Sequence, residues 1–313
     1  MHQMNKKILI ADYLHPVFKE EAEKLGFECH DMPMISREET LKIIRDYTGI
    51  AIRTKFLIDR EVIDAGNNLK FITRAGAGMD NIDEEYAVSK GIHCINAPEG
   101  NRDAVAEHVI GMLLSLLNKL RNGDQQIRNG VWDREANRGF ELKGKTVALI
   151  GYGNNGRSLA QKLSGFEVDV IAYDKYKTSF SDQYAREVSM EEIVKHADIL
   201  SYHIPLTRET RQLFNDEYLF HFRKPIILLN ASRGGIVNTK AVIDGLKNGK
   251  ILAAGLDVLE VEKFPALSEQ PWFTELIEND KVILSPHVAG WSVESYRKIS
   301  EVLAEKLKGI MVS

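Results

Sequence analysis

The chain has 313 residues, which is more than one hydrophobic core usually supports, so we expect two domains. Hydrophobic residues make up 44% of the chain and charged residues 27%, with a net charge of −4, and this balance excludes a disordered polyelectrolyte. Lysines and arginines are scattered along the chain rather than clustered, which argues against a nucleic-acid partner.

The sequence predicts a cytoplasmic protein with no membrane partner. Met1–Lys7 is polar, and the apolar run that follows it, Ile8–Ala11, is too short for the core of a signal peptide. The longest strongly apolar stretch, Val109–Leu117, is far below the ~20 residues of a membrane span. Cys29 and Cys94 lack metal-ligand spacing, so we expect reduced thiols and no metal site.

In the first third of the chain, short β-branched and aliphatic runs alternate with helical patterns. The predicted strands are Ile8–Ala11, Ile50–Arg53, Phe71–Thr73 and Ile92–Asn96. The predicted helices are Val17–Leu25, Glu38–Tyr47 and Asp59–Ala65. This alternation is typical of parallel βαβ units.

The central part of the chain predicts one helix followed by an arm. Arg102–Arg121 carries apolar residues at spacings of three and four, and this pattern predicts a single helix. Asn122–Leu142 shows no strand or helix pattern, and its length predicts an exposed arm. Together the helix and the arm favour a symmetric homodimer.

The alternation of strands and helices restarts after the arm. The predicted strands are Thr146–Ile150, Val168–Tyr173, Ile199–Tyr202, Ile226–Leu229, Leu252–Leu256 and Val282–Leu284. The last segment, Val293–Leu307, predicts an amphipathic helix that returns the chain to the first domain. The sequence therefore predicts the α/β fold class, with two doubly wound parallel sheets and a cleft between the two domains.

A glycine-rich turn follows the strand Thr146–Ile150 and precedes the helical pattern Arg157–Leu163. Gly151 permits the tight turn, Gly153 lets the backbone approach a pyrophosphate, and Gly156 allows close packing of helix and strand. The amino terminus of the following helix attracts the anion. In this setting the GxGxxG pattern predicts a dinucleotide-binding turn, whereas alone it would indicate only a tight turn.

The cofactor predicted for this turn is NAD. Asp174 ends the next predicted strand, where a carboxylate accepts hydrogen bonds from the adenosine ribose and repels a 2′-phosphate. Lys175 and Lys177 lie beside it and are expected to be solvated turn charges, with contact to a 2′-phosphate as the alternative. Asn154 and Asn155 complete the turn, and Asn155 replaces the apolar residue often found there.

Three later segments place polar residues after predicted strands, namely Asn230–Gly235, Asp257–Glu262 and Ser285–Gly290. In such folds, ligands bind beyond the carboxyl ends of the strands. His287 is a candidate acid and base for a hydroxyl proton, and Glu262 is its candidate carboxylate partner. Arg233 offers a planar fork of donors for a substrate carboxylate. The alternatives are a hydrogen-bonding histidine, a solvent-facing glutamate and a turn-capping arginine.

These motifs, with Asn101–His108 opening the central helix, resemble the D-2-hydroxyacid dehydrogenase family over nearly the whole chain. The resemblance implies a Rossmann NAD-binding domain and a flavodoxin-like substrate domain. It implies that Arg233, Glu262 and His287 are the catalytic set, and that a small 2-hydroxy or 2-keto acid is the substrate. The domains are then expected to be residues 1–100 plus 288–313 for the substrate and 101–287 for the dinucleotide.

The resemblance also implies binding residues. Asp257 is expected to contact the nicotinamide carboxamide, although it could simply end a strand. The cofactor pocket is expected to include His203, Pro205 and Ala231. The backbone of the glycine-rich loop ending in Ala77 and Gly78 is expected to hold the substrate carboxylate.

Within the family, the segment Thr73–Asp83 resembles the D-3-phosphoglycerate dehydrogenase group, in which an arginine precedes the glycine loop. Arg74 is that arginine, and Arg53 matches a second one. Our hypothesis is that both bind a phosphate, which makes the substrate 3-phosphoglycerate and the product 3-phosphohydroxypyruvate, as in serine biosynthesis. Ion pairs with Asp80 or Asp83 are the alternative role for these arginines.

Two alternative functions stay open at this stage. Reduction of glyoxylate or hydroxypyruvate would use the same catalytic residues without a phosphate. An NADH-gated binding protein, like the C-terminal-binding transcriptional corepressors that resemble this family, would use the fold without catalysis. Because the sequence ends after one closing helix, we also expect a short form without an appended regulatory domain.

Overall fold

The structure is a computed structural model that describes residues 6–312. The predicted polar amino terminus therefore lies mostly outside the described residues. The chain divides into two compact units. The first unit contains the described residues up to Arg102 together with those from Trp291 onward, and the second unit is Asp103–Gly290.

The first unit is a parallel sheet with helices between its strands. Its elements up to the end of the sheet are β1 (Lys7–Ile10), α1 (Val17–Lys24), β2 (Glu28–Asp31), α2 (Arg37–Ile43), β3 (Gly49–Ile52), α3 (Arg60–Ala65), β4 (Phe71–Arg74), α4 (Glu84–Ser89) and β5 (His93–Asn96). The strand order β2-β1-β3-β4-β5, with every pair parallel, is the flavodoxin-like order.

The second unit contains the larger sheet. Its elements are α5 (Pro98–Leu117, which begins in the first unit), α6 (Leu120–Arg128), β6 (Thr146–Ile150), α7 (Asn154–Leu163), β7 (Asp169–Tyr173), β8 (Arg186–Glu187), α8 (Met190–His196), β9 (Ile199–Tyr202), α9 (Asp216–Phe220), β10 (Ile226–Asn230), α10 (Thr239–Asn248), β11 (Ile251–Leu256), α11 (Phe273–Glu278) and β12 (Val282–Leu284). The chain then returns to the first unit with α12 (Val293–Val312), which packs on α1.

The order of the second sheet is β12-β11-β10-β9-β6-β7-β8, and every pair is parallel. The strands run outward in both directions from the β6–β9 pair, so the chain reverses its direction of winding there. Ligands of doubly wound folds bind at this switch point. The two parallel sheets confirm the predicted α/β fold class.

The strands of the second sheet end in one row. Ile150 pairs with Tyr173 on one side and with Tyr202 on the other. The pairing continues through Asn230 and Leu256 to Leu284. The residue that follows each of these strand ends therefore lies along the same edge, and this set is Asp174, Gly151, His203, Ala231, Asp257 and Ser285.

The predicted helix Arg102–Arg121 is wrong at both ends. The helix α5 starts earlier and stops at Leu117, and Lys119 adopts a left-handed backbone with φ 50° before α6 begins. A left-handed residue cannot continue a right-handed helix, so the two helices are separate. Leu120, predicted as part of the apolar stripe, is exposed.

The predicted arm Asn122–Leu142 is wrong in its first part, because residues up to Arg128 belong to α6. This helix has no buried residue, and its two apolar residues, Leu120 and Ile127, are too few to predict a helix from the sequence. The remainder of the arm, up to Leu142, contains neither helix nor strand.

Two strands were missed by the sequence prediction. β2 reads Glu-Cys-His-Asp and β8 is only Arg186–Glu187, and both lie at sheet edges. Edge strands are partly solvated and carry polar residues, so they lack the apolar runs of the central strands. Among the described residues, no helix is both long enough and apolar enough to cross a bilayer.

Candidate active site

The glycine-rich turn lies at the switch point of the second sheet. Gly151 has φ +96°, and a Cβ on it would lie 2.5 Å from the carbonyl oxygen of His203, which follows β9. A Cβ on Gly156 would lie 2.1 Å from the carbonyl oxygen of Gly151. Gly153 is the N-cap of α7, and a Cβ there would meet open space. The first and third glycines therefore permit close backbone packing, and the second leaves room for a ligand.

The other two turn residues, Asn154 and Asn155, form the first turn of α7. Their backbone amides are among the first of this helix, where N–H groups lack intrahelical partners. The helix N-terminus is therefore suited to an anion such as a pyrophosphate.

Asp174 lies one residue beyond β7, beside the glycine turn. Its carboxylate accepts hydrogen bonds from Tyr152 N at 2.9 Å and from Tyr176 N at 3.0 Å. These bonds fix the carboxylate next to an open cavity of about 620 Å³. Lys177 Nζ donates to Tyr152 O at 2.8 Å, and Lys175 pairs with Glu209. Both lysines thus have partners within the protein.

His203 and Pro205 follow β9 on the other side of the switch point. His203 Nε2 lies 2.9 Å from Ser201 Oγ. Burial lowers the pKa of His203 to about 4, so its imidazole is neutral at neutral pH. Thr210 Oγ1 donates to Pro205 O at 2.7 Å and fixes the turn. Ala231 occupies the equivalent position after β10 and is partly exposed.

His287 and Glu262 contact each other although 25 residues separate them in sequence. His287 Nδ1 lies 2.9 Å from Glu262 Oε2, and both side chains are partly exposed, at 47% and 39%. The neighbouring Glu260 has a different role, because it accepts a hydrogen bond from Thr239 N at the start of α10. The imidazole is therefore oriented by one carboxylate, which leaves Nε2 directed away from that carboxylate.

Arg233 lies in the turn after β10. Asn230 Nδ2 donates to Arg233 O at 3.0 Å, and Arg233 Nη1 donates to Ser232 O at 2.6 Å. A Cβ on Gly234 would lie 1.8 Å from Leu259 O, so only glycine allows this turn to pack against the turn after β11. Arg233 is thus placed on the carboxyl edge of the sheet, as are Glu262 and His287.

Asp257 follows β11 and is only 1% exposed. Its two carboxylate oxygens accept hydrogen bonds from Ser285 Oγ, Val288 N and Ala289 N. These are residues of the segment that contains His287. The contact of Asp257 with nicotinamide stays a prediction, and the structure shows that its carboxylate anchors the segment that contains His287.

In the first unit, Arg53 and Arg74 lie on neighbouring strands. Arg74 ends β4 and pairs in register with Ile52, the residue before Arg53. Arg53 N donates to Asp12 Oδ2 at 3.0 Å, and the Arg53 guanidinium lies 4.2 Å from the centre of the Trp291 ring. The two arginines therefore lie at the carboxyl ends of neighbouring strands of the first sheet.

The glycine loop after β4 is held by the end of β5. Asn96 Nδ2 donates to Ala77 O at 2.7 Å, and Ala97 N donates to Gly76 O at 2.8 Å. Gly76 has φ +152°, and a Cβ there would lie 1.6 Å from Arg74 Nη1. Glycine is therefore required for the Arg74 side chain to fold over the loop, and the next glycine, Gly78, is partly exposed.

One carboxylate considered as a partner for these arginines has another contact. Asp83 Oδ2 accepts from Arg60 Nε at 3.3 Å, and Asp83 Oδ1 accepts from Tyr86 N at the start of α4. Asp83 is thus a helix cap paired with Arg60.

Four residues near these groups were missed by the sequence prediction. Asp12 accepts hydrogen bonds from the backbone of Arg53 and of the two residues after it. Trp291 stacks on the Arg53 guanidinium. His108 and Ser285 extend the hydrogen bonds of Asp257. Asp12 has one sequence signal, which is its position directly after the first predicted strand.

Comparison with known proteins identifies the family. The model of the D-isomer specific 2-hydroxyacid dehydrogenase NAD binding domain matches residues 110–289. The chain is 34% identical to D-3-phosphoglycerate dehydrogenase of Archaeoglobus fulgidus over 96% of this chain and 56% of that protein. It is 35% identical to hydroxypyruvate reductase of Thermotoga maritima over 87% of this chain and 88% of that protein. The chain therefore spans about half of the first relative and most of the second.

A solved structure is similar over both units. The structure of D-2-hydroxyisocaproate dehydrogenase has a TM-score of 0.84 and 25% identity, and the match covers 97% of this chain and 96% of that one.

The chain belongs to the D-isomer specific 2-hydroxyacid dehydrogenase family. It is thus a member of a family of NAD-dependent oxidoreductases that act on the CH–OH group of 2-hydroxy acids. This confirms the predicted family, and the model that matches the chain is that of an NAD binding domain, in agreement with the predicted cofactor.

Proposed function

We propose that this chain transfers a hydride between NAD and carbon 2 of a D-2-hydroxy acid, with 3-phospho-D-glycerate as the substrate. The observation that carries the proposal is the His287–Glu262 pair at 2.9 Å. It lies on the same carboxyl edge of the second sheet as the glycine turn. A proton-exchanging group and a dinucleotide turn on one edge are what such a reaction requires.

Each candidate residue has a defined task in the proposed reaction. During oxidation, His287 Nδ1–H donates to Glu262, and Nε2 accepts the proton of the substrate hydroxyl. Glu262 stabilises the imidazolium that forms. Arg233 binds the substrate carboxylate through two parallel hydrogen bonds and sets which face of carbon 2 is presented. Bound NAD supplies the acceptor for the hydride that leaves carbon 2.

The residues around Asp174 support NAD over NADP. Its carboxylate is fixed at the end of β7 by two backbone amides. Glu209 pairs with Lys175, so this lysine already has a carboxylate partner within the protein. The Asp174 carboxylate repels the 2′-phosphate of NADP, and ribose hydroxyls can donate to it.

The two arginines of the first unit support a phosphorylated substrate. They follow adjacent parallel strands at the same edge, and Asp12 holds the backbone of Arg53. The Arg53 guanidinium lies over the Trp291 ring, and a guanidinium stacked on an aromatic face can still donate hydrogen bonds from its edge. A phosphate would accept hydrogen bonds from both arginines.

Arg53→Ala and Arg74→Ala test this assignment. Each is expected to lower kcat/KM for 3-phosphoglycerate by roughly 10-fold to 100-fold, because a charge-assisted hydrogen bond contributes about 1.5–3 kcal/mol. The value for D-glycerate, which has no phosphate, should change by less than about threefold, since no such bond is lost. Initial rates of NADH formation with both substrates provide the measurement.

Arg60→Ala is the matched control for the arginine variants, because Arg60 also lies over an aromatic ring, 4.9 Å from the centre of Tyr86. Arg60→Ala should leave kcat/KM unchanged for both 3-phosphoglycerate and D-glycerate. Equal effects of the Arg53 and Arg74 variants on the two substrates, or no effect on either, would refute the phosphate assignment while leaving the reaction class intact.

Reduction of glyoxylate or hydroxypyruvate is the second candidate function. The observation in its favour is the 35% identity to hydroxypyruvate reductase, a match that covers 88% of that protein. The reductase assignment requires that the unphosphorylated keto acid has the higher kcat/KM in the wild-type chain. Initial rates of NADH consumption with glyoxylate, hydroxypyruvate and 3-phosphohydroxypyruvate therefore decide between the two functions.

We also infer that the chain forms a homodimer through α6 and the arm. Trp132 and Phe140 of the arm are 79% and 65% exposed, and Leu120 and Ile127 of α6 are exposed as well. Apolar side chains grouped in this way are typical of a subunit interface. A cytoplasmic location stays a prediction.

The double variant Trp132→Asp/Phe140→Asp is expected to be monomeric. Burying a charge in an apolar interface is unfavourable, and each aromatic anchor contributes about 2 kcal/mol or more to association. Light scattering during size-exclusion chromatography gives the mass in solution. Phe220→Asp changes an equally exposed aromatic residue elsewhere in the second unit and should remain dimeric. A wild-type chain that elutes as a monomer would contradict the inference.

A further inference from the structure

Asp257 holds the segment that contains His287. Its buried carboxylate accepts from Ser285 Oγ at 2.6 Å and from Val288 N at 2.9 Å, both at Oδ1, and from Ala289 N at 2.9 Å at Oδ2. A buried carboxylate is stable only when donors replace its lost water. The three donors therefore stabilise Asp257, and Asp257 in turn orders the backbone on both sides of the histidine.

The backbone of His287 needs such support. Its φ is 55°, in the left-handed region that residues other than glycine rarely adopt. His287 N donates to the backbone oxygen of Asp257 at 2.7 Å. Unfavourable backbone conformations persist only where the surrounding contacts enforce them. The contacts of Asp257 with the histidine and the residues after it provide that enforcement.

His108, on α5, adds a further member to this arrangement. Its Nε2 lies 2.8 Å from Ser285 Oγ and 3.6 Å from Asp257 Oδ1. Ser285 has one hydroxyl proton, which it donates to the carboxylate, so its oxygen accepts from His108 Nε2–H. The direction of donation therefore runs from the imidazole to the hydroxyl and from the hydroxyl to the carboxylate.

We propose that His108 is a positioning residue for the proton-exchanging histidine, acting through the chain of hydrogen bonds His108–Ser285–Asp257. The inference rests on the proposed role of His287. Among the described residues, the side-chain contacts of His108 are with Ser285 and Asp257. Ser285 lies 177 residues away from His108 in sequence. Its function is to fix the Ser285 hydroxyl and the Asp257 carboxylate, which set the backbone conformation of His287.

The test compares His108→Leu with His108→Gln. Leucine removes the N–H donor, and kcat should fall by about 10-fold to 100-fold, because small displacements of a reacting group cost this much. Glutamine places an amide N–H donor near the position of Nε2, and most of kcat should return. KM for NAD should stay within about twofold in both variants, since the glycine turn and Asp174, where most of the contacts with NAD are expected, are untouched. Ser285→Ala should behave like His108→Leu.

Hydrogen exchange supplies a readout that does not depend on activity. The amides of Val288 and Ala289 should exchange at least about 10-fold faster in His108→Leu than in the wild type, because the carboxylate that accepts from them is less well fixed. The double variant His108→Leu/Ser285→Ala should lose no more kcat than either single variant, since both act through one chain of hydrogen bonds. His196→Leu, which changes a partly exposed histidine of the same unit, should alter neither kcat nor the exchange rates of these two amides.

The outcomes separate this inference from the proposed function. Normal kcat and normal amide exchange in His108→Leu, or additive losses in the double variant, would overturn the positioning role. A wild-type chain that shows no hydride transfer, combined with faster amide exchange in His108→Leu, would refute the proposed function and support the hydrogen-bond chain.

Discussion

His287→Gln is expected to lower kcat by about 10²- to 10⁴-fold, the range that general acid–base catalysis contributes. Glutamine can still donate a hydrogen bond, but it cannot accept and release a proton near neutral pH. Glu262→Gln should give a smaller loss, because it keeps a hydrogen bond to Nδ1 but removes the charge that stabilises the imidazolium. Steady-state rates with NAD and 3-phosphoglycerate measure both effects.

A matched control exists within the same unit. His196 lies 3.2 Å from Glu192 and is exposed, so it forms a second histidine–carboxylate pair away from the carboxyl edge of the sheet. His196→Gln should leave kcat unchanged. A fluorescence titration should give the same Kd for NADH in all of these variants. Wild-type kcat in His287→Gln would exclude this histidine as the acid and base.

Arg233→Lys is expected to lower kcat/KM by roughly 10-fold to 100-fold. A lysine ammonium keeps the charge but cannot make the two parallel bonds of a guanidinium, and losing one charge-assisted hydrogen bond costs about 1.5–3 kcal/mol. Arg233→Ala should lower kcat/KM further, and guanidinium added to the assay should restore part of the lost activity. Rates over a range of substrate concentrations separate the effects on KM and kcat.

Arg223→Lys is the control for this substitution, because Arg223 is an exposed arginine before β10, at the opposite edge of the same sheet. It should leave kcat/KM unchanged. If Arg233→Lys keeps full activity, the guanidinium only stabilises the turn in which it donates to Ser232 O.

The parts of the structure that follow from local pattern were predictable. Gly151 and Gly156 were assigned from their spacing between a predicted strand and a predicted helix, and the structure shows that a Cβ at either would collide with backbone. Asp174 was chosen because it follows a predicted strand, whereas the family resemblance implied the role of Asp257, which follows another predicted strand. In a parallel sheet the carboxyl ends of the strands share one edge, so this rule places distant residues together without a known structure.

Contacts between distant parts of the chain could not be predicted. His108 reaches Ser285 across 177 residues, and Asp12 reaches the backbone of Arg53 across 41. No periodicity links such residues, because their contacts depend on how helices and loops pack on the finished sheet. The same limit applies to Trp291, which reads in the sequence as an isolated aromatic residue.

The most direct test of the account is the fate of the hydrogen on carbon 2. The purified chain is incubated with NAD and 3-phospho-D-glycerate that carries deuterium at that carbon, and the NADH formed is analysed by mass spectrometry. The account predicts NADH that contains the deuterium, with no product from the L-enantiomer and almost none with His287→Gln. Absence of NADH with this and every other D-2-hydroxy acid, or NADH without the label, would contradict it.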